Sequence, residues 1–149
     1  MSHFTKAITA AALSAALCAL PLTATADEAW DTIAGQIIYE QDLSTVAVFS
    51  FPYDALFPSE VPDLAQQRGT LYFPGLGGNS DRRAIHDGYW IVQGAPLCSA
   101  SLTTADGVTS RRWGRARVIF DRAAFPTDLT ILIGGCMDEP TAILRGERP

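Results

Sequence analysis

The side chains best equipped for chemistry stand close together in the run RRWGRARVIF at 111–120: Arg111, Trp113, Arg115 and Arg117. A guanidinium presents a rigid fork of donors that matches a carboxylate or phosphate, and an indole face stacks on a sugar ring or a peptide. At the two-residue period of a strand these four share one face, while Gly114, Ala116, Val118 and Phe120 share the other. The second set is small and apolar and is expected to face a core. The first set is then an outward row and a candidate site for an envelope protein or for an anionic or saccharide ligand. The competing reading is a surface ladder in which the arginines pair with the chain's own acids and Trp113 lies under their stems.

Catalytic chemistry has less to build on. His86 is the only histidine beyond His3, and a nucleophile for it would come from a distant Ser99, Ser101 or Ser110. No G-x-S-x-G elbow is present. Two well-placed carboxylates would serve a glycosidase, but the abundance of Asp and Glu says nothing of placement. Gly75-Leu76-Gly77-Gly78 lacks the spacing of a phosphate-cradling loop, and no acidic segment has the D-x-D-x-D-G spacing of a calcium loop. Asp54, Glu60, Asp63, Asp138 and Glu139 therefore read as solvated acids near turns. No catalytic residue, cofactor or metal is assigned.

The N-terminus carries the most specific pattern. A short basic segment ends at Lys6, an apolar stretch runs from Ala7 to Leu20, Pro21 follows, and Ala24-Thr25-Ala26 precedes Asp27. This is the tripartite form of a secretory signal peptide with an A-x-A cleavage site. The apolar stretch falls short of the ~20 residues a spanning helix needs, and no later run reaches that length. Leu17 before Cys18 disfavours lipidation of that cysteine. The expectation is a leader over 1–26, removed on export, and a single β-rich domain over 27–149, periplasmic or extracellular.

Loss of the leader removes Lys6, the only lysine, so that ten Arg face sixteen Asp and Glu and the net charge falls from −5 to −6. That balance excludes generic nucleic-acid binding. Two cysteines remain, Cys98 and Cys136, and an even pair in an oxidising compartment predicts one disulfide. Closing a loop of about 39 residues, it would contribute roughly 4 kcal/mol in the chain-entropy model. The absence of C-x-x-C and the shortage of histidine argue against a redox or zinc pair.

The elements that must position these groups read mainly as strands. Ile33–Tyr39 and Thr45–Phe51 form an expected hairpin, the second strand apolar on both faces and ended by Pro52. Proline-punctuated text then predicts one short helix around 60–68, closed by Arg68-Gly69. A strand at Thr70–Phe73 and a flexible loop at 74–80 follow. Gly88–Gln93, Cys98–Thr104, a long run Val108–Phe120 and Leu129–Ile133 read as further strands, with Ala105-Asp106-Gly107 as a hairpin turn.

About seven short strands and one helix predict an antiparallel β-sandwich or small β-barrel with one disulfide. A chain of this length, 48% hydrophobic and 18% charged, buries one real core. The functional expectation is a small binding, accessory or inhibitory module with an Arg/Trp surface stripe. The alternatives are a small envelope hydrolase using His86 and carboxylates, or a structural subunit of an envelope assembly. The mark of the last would be an exposed apolar patch around Phe51, Phe57, Phe73 and Phe125.

Overall fold

Runs in which large apolar side chains recur at every second residue build the sheet, as a pleated backbone requires. The computed structural model describes residues 28–53, 67–78, 85–123 and 127–149. Among the described residues ten strands are formed: β1 (Ala29–Thr32), β2 (Gly35–Leu43), β3 (Val46–Pro52), β4 (Arg68–Pro74), β5 (Ile85–Ile91), β6 (Leu102–Thr103), β7 (Thr109–Ser110), β8 (Trp113–Phe120), β9 (Leu129–Ile133) and β10 (Ala142–Gly146). Eight make one sheet in the order β1-β2-β3-β4-β5-β8-β9-β10, with every neighbouring pair antiparallel. The ends of that sheet meet. Asp31 N–H donates to Glu147 O at 2.7 Å and Glu147 N–H to Asp31 O at 2.9 Å, which nearly closes the sheet into a barrel. Of the two architectures expected, the nearly closed barrel is the one formed, and the approach of β1 to β10 shortens the open edges at which strands aggregate.

The inward side chains fill this barrel. Trp30, Phe49, Phe51, Phe73 and Trp90 are at most 1% exposed and pack with Ile37, Leu71, Val118, Leu129 and Ile131. An eight-stranded barrel is just wide enough for its own side chains to occupy, and among the described residues seven buried aromatic side chains, these five with Tyr53 and Phe120, use that width. Both inward indoles have their N–H satisfied, Trp30 Nε1 on Thr127 O (2.8 Å) and Trp90 Nε1 on Gly134 O (2.7 Å). The predicted inner face of β8 is confirmed: Ala116, Val118 and Phe120 are buried in the core.

β5 and β8 are neighbours in the sheet, so the segment between them is an excursion on the outside. It returns as the hairpin β6–β7, paired Leu102↔Ser110 and Thr103↔Thr109. Its turn is the predicted one, with Gly107 at φ 85°. The start of the excursion is tied by the disulfide Cys98–Cys136, whose Cα atoms are 5.6 Å apart, to the connection between β9 and β10. Under it lies a second apolar cluster of Val48, Tyr72, Ile91, Cys98 and Trp113. This cover explains why β3 is buried on both faces, as its sequence predicts.

Several elements differ from the sequence reading. Residues 98–101 are not strand, and the run 108–120 breaks at Arg111-Arg112 into β7 and β8. β1 and β10 are not legible in the sequence; β10 follows β9, and the disulfide ends in the connection between them. The expected helix falls largely on 54–66, outside the described residues, as does the leader. Its expected end is corrected: Arg68 and Gly69 open β4, paired with Pro52 and Phe51. The Phe51 ring occupies the space where a Cβ on Gly69 would sit, 2.4 Å from its Cε1, so glycine here serves close packing instead of helix termination. The first part of the expected flexible loop is knit to the β2–β3 turn, with Gly75 and Gly77 N–H on Thr45 O and Gly78 N–H on Asp42 Oδ2.

Candidate functional site on the outer wall

Trp113, Arg115 and Arg117 share one side of β8, but the stripe is not a free row. Trp113 is 9% exposed, lies beneath the excursion and donates its indole N–H to Ala100 O at 2.9 Å. It has no face left for stacking on a ligand. The period of two gave the correct side of the strand without revealing that another segment covers it. Arg111 precedes β8 and donates to Cys98 O at 3.0 Å. Arg115 and Arg117, both half-buried, stand side by side on β8.

Their charge is already matched. Arg117 Nε lies 2.6 Å from Asp87 Oδ1 across the β5–β8 pair, and Arg115 and Arg117 reach Glu139 at 3.6 and 3.8 Å. The Arg117 hydrogen bond is the main reason the Asp87 carboxyl is held below its ordinary value, against a smaller opposing effect of burial. Two guanidinium groups and two carboxylates make a neutral cluster, so an incoming anion would have to compete for both cations.

Further round the outer wall the β6–β7 turn overhangs β3, β4 and β5 and leaves a cleft of about 390 Å³. Its floor is apolar, from Val48, Ile91 and Tyr72, with Val108 on the overhang. Its rim is polar. On one side the rim comes from β2, where Tyr39 pairs with Phe49 and Gln41 with Val48, leaving Glu40 as an extra residue. A bulge of this kind breaks the alternation of faces, and here both Glu40 and Gln41 line the cleft.

The rim is held by hydrogen bonds. Ser50 Oγ donates to Glu40 and accepts from Arg68 Nε and Nη2 at 3.1 and 2.8 Å, while Nη2 also donates to Gln36 O. Opposite, Asp106 accepts from the Tyr72 hydroxyl at 3.0 Å and from Thr104 Oγ1. Burial works to raise the Asp106 carboxyl, but the bonds from Thr104, Tyr72 and two backbone N–H groups outweigh it and hold the group low. Tyr72 is pushed up to about 12, chiefly by burial, with the Asp106 charge adding to the effect and Thr104 opposing it.

Gln67 and Gln93 complete the wall. Gln67 Nε2 donates to Gln93 O at 3.0 Å, which settles the orientation of that amide. Its Oε1 is buried and has no hydrogen-bond partner. Sequence reading missed this cleft because Gln67 sits in proline-rich text and Asp106 was read only as a turn residue. The one available signal was the adjacent polar pair Glu40-Gln41 beside an apolar strand.

The remaining candidates are dispersed. His86 lies on β5, opposite Val118 and edge-on to Phe120 at 6.3 Å, and not in a loop. Ser110 Oγ donates to Val92 O and accepts from Arg112 N–H. Phe51 and Phe73 are wholly inside the barrel, so they form no exposed patch; Phe57 and Phe125 lie outside the described residues. Among the described residues no helix is long and apolar enough to cross a membrane. Compared with known families, with curated proteins and with solved structures, the chain matches none.

Proposed function

We propose that the chain is an exported binding, accessory or inhibitory module of the envelope or its surroundings, and that its ligand docks on the outside of the barrel. The observation that carries this reading is the contrast between the two sides of the wall. The interior is occupied by large, fully buried aromatic residues, whereas the outer face offers a preformed polar cleft and, apart from it, the Arg115/Arg117 cluster. The signal-peptide pattern over 1–26 and the disulfide support export.

The test is native mass spectrometry of the processed protein, captured gently from the envelope and external fractions of its own cells. A version carrying Arg115→Glu and Arg117→Glu is run beside it. A defined bound species supports the reading, and its loss in the double variant, with folding intact, assigns it to the arginine cluster. A bare monomer under all conditions contradicts the reading and puts substrate screening first, with His86→Ala as the control.

A further inference from the structure

We propose that the cleft beneath the β6–β7 turn is a binding site for a short neutral saccharide; this rests on the outer-wall reading above and names its ligand class. Three observations converge on it. The Glu40 bulge turns two consecutive polar side chains onto one rim, a device that sheets use where a side chain must be re-aimed. The buried Oε1 of Gln67 lacks a donor. A buried acceptor without a partner is costly to maintain, and a hydroxyl entering the cleft supplies the missing proton.

The third observation is the kind of polar group present. Gln41, Gln67 and Gln93 bring side-chain amides, each able to donate and accept, as a hydroxyl does. The charged groups are engaged within the wall: Arg68 with Ser50 and Gln36, Asp106 with Tyr72 and Thr104. Two carboxylates face one guanidinium, which leaves nothing to attract an anionic ligand. The apolar floor of Val48 and Ile91 suits the C–H face of a sugar ring. An extended peptide is a poorer match, because the cleft lies on the face of β3, β4 and β5, whose backbone groups are spent on one another. The volume falls within the ~300–1,000 Å³ usual for small-ligand sites.

The experiment is an array of oligosaccharides probed with the disulfide-intact mature chain. Its neutral members are built on glucose, galactose, mannose and N-acetylglucosamine, and sialylated and sulfated members serve as charged controls. Wild type is compared with Gln67→Leu and Gln41→Ala. The expected result is retention on neutral members, weakened roughly tenfold or more in each variant, as loss of a ligand hydrogen bond and its partner requires. Thermal unfolding of Gln67→Leu should change little, since the substitution removes a buried unpaired acceptor together with one exposed hydrogen bond, that to Gln93 O. Should Gln67→Leu fail to fold, Gln41→Ala, exposed on the bulge, decides the question.

Retention on charged members alone, equal retention of the variants, or no retention at all overturns the saccharide assignment. An empty array together with a partner found by native mass spectrometry leaves the binding module standing and removes its ligand class. Emptiness in both ends both readings.

Discussion

The hydroxyl of Tyr72 on β4 lies 3.0 Å from Oδ2 of Asp106 in the β6–β7 turn, and this contact fastens the outer hairpin to the barrel wall. A hydrogen bond to an ionised partner is worth more than a neutral one, so Tyr72→Phe is predicted to cost about 1.5–3 kcal/mol. The loss should be local. Amide exchange should quicken over Leu102–Ser110 and stay slow in β8 and β9. Uniform quickening across the barrel would contradict the role given to this contact.

The same pair sets the pH response at both extremes. Asp106 is held below its ordinary value of 3.8, so its contribution is complete above that value and is lost as pH falls through the depressed one. Tyr72 is raised from 10.0 to about 12, so the folded chain keeps a proton that the unfolded chain releases, and stability falls as pH rises between those values. Tyr89, raised chiefly by burial, adds to the alkaline loss with the same sign. Denaturant midpoints measured from pH 9 to 12 should drop steeply in wild type and less in Tyr72→Phe.

Two glycines are predicted to fail for different reasons. A Cβ on Gly114 would lie 1.9 Å from Gly134 O and 2.6 Å from Trp90 Nε1, two atoms already bonded to each other. Gly114→Ala therefore pries β8 from the β9–β10 connection and should cost about 3 kcal/mol or more. At Gly107 there is open space but φ is +85°, so Gly107→Ala should cost only about 1–2 kcal/mol of backbone strain. Equal midpoints for the two variants in thermal unfolding would contradict this distinction.

Removal of the disulfide through Cys98→Ala and Cys136→Ala opens a loop whose ends are 38 residues apart in sequence. The chain-entropy model gives a loss of about 4 kcal/mol. None of the eight barrel strands contains Cys98 or Cys136, so the far-ultraviolet spectrum should keep its β signature below the melting point while the excursion at 98–110 becomes protease-sensitive. Cleavage first within β3 or β4 would show that the staple supports the barrel itself.

What could be read from sequence follows from how local each signal is. Leu129–Ile133 was legible to the residue because a β-rich run ends at a Gly pair, and the inner face of β8 because small apolar residues alternate without a break. The cysteine pair and the Asp106-Gly107 turn needed only spacing and turn chemistry. β1 and β10 escaped because AWDT and AILRG are short and partly polar, and their place depends on Asp31 meeting Glu147 across the barrel. The fate of Trp113 escaped for a related reason: alternation assigns a side of the sheet, and only long-range folding decides that the 98–110 segment lies over it. The candidate cleft combines a bulge, a turn and a residue from proline-rich text, three parts that no local pattern joins.

The most direct test of the account is a nuclear magnetic resonance titration of the isotope-labelled, disulfide-intact chain with a neutral oligosaccharide retained on the array. The account predicts saturable shifts at the backbone and side-chain amides of Gln41, Gln67 and Gln93 and at the backbone amide of Asp106, with the indole N–H signals of Trp30 and Trp90 unmoved inside the filled barrel. Shifts centred on those two indoles, or no shifts with that oligosaccharide, would contradict it.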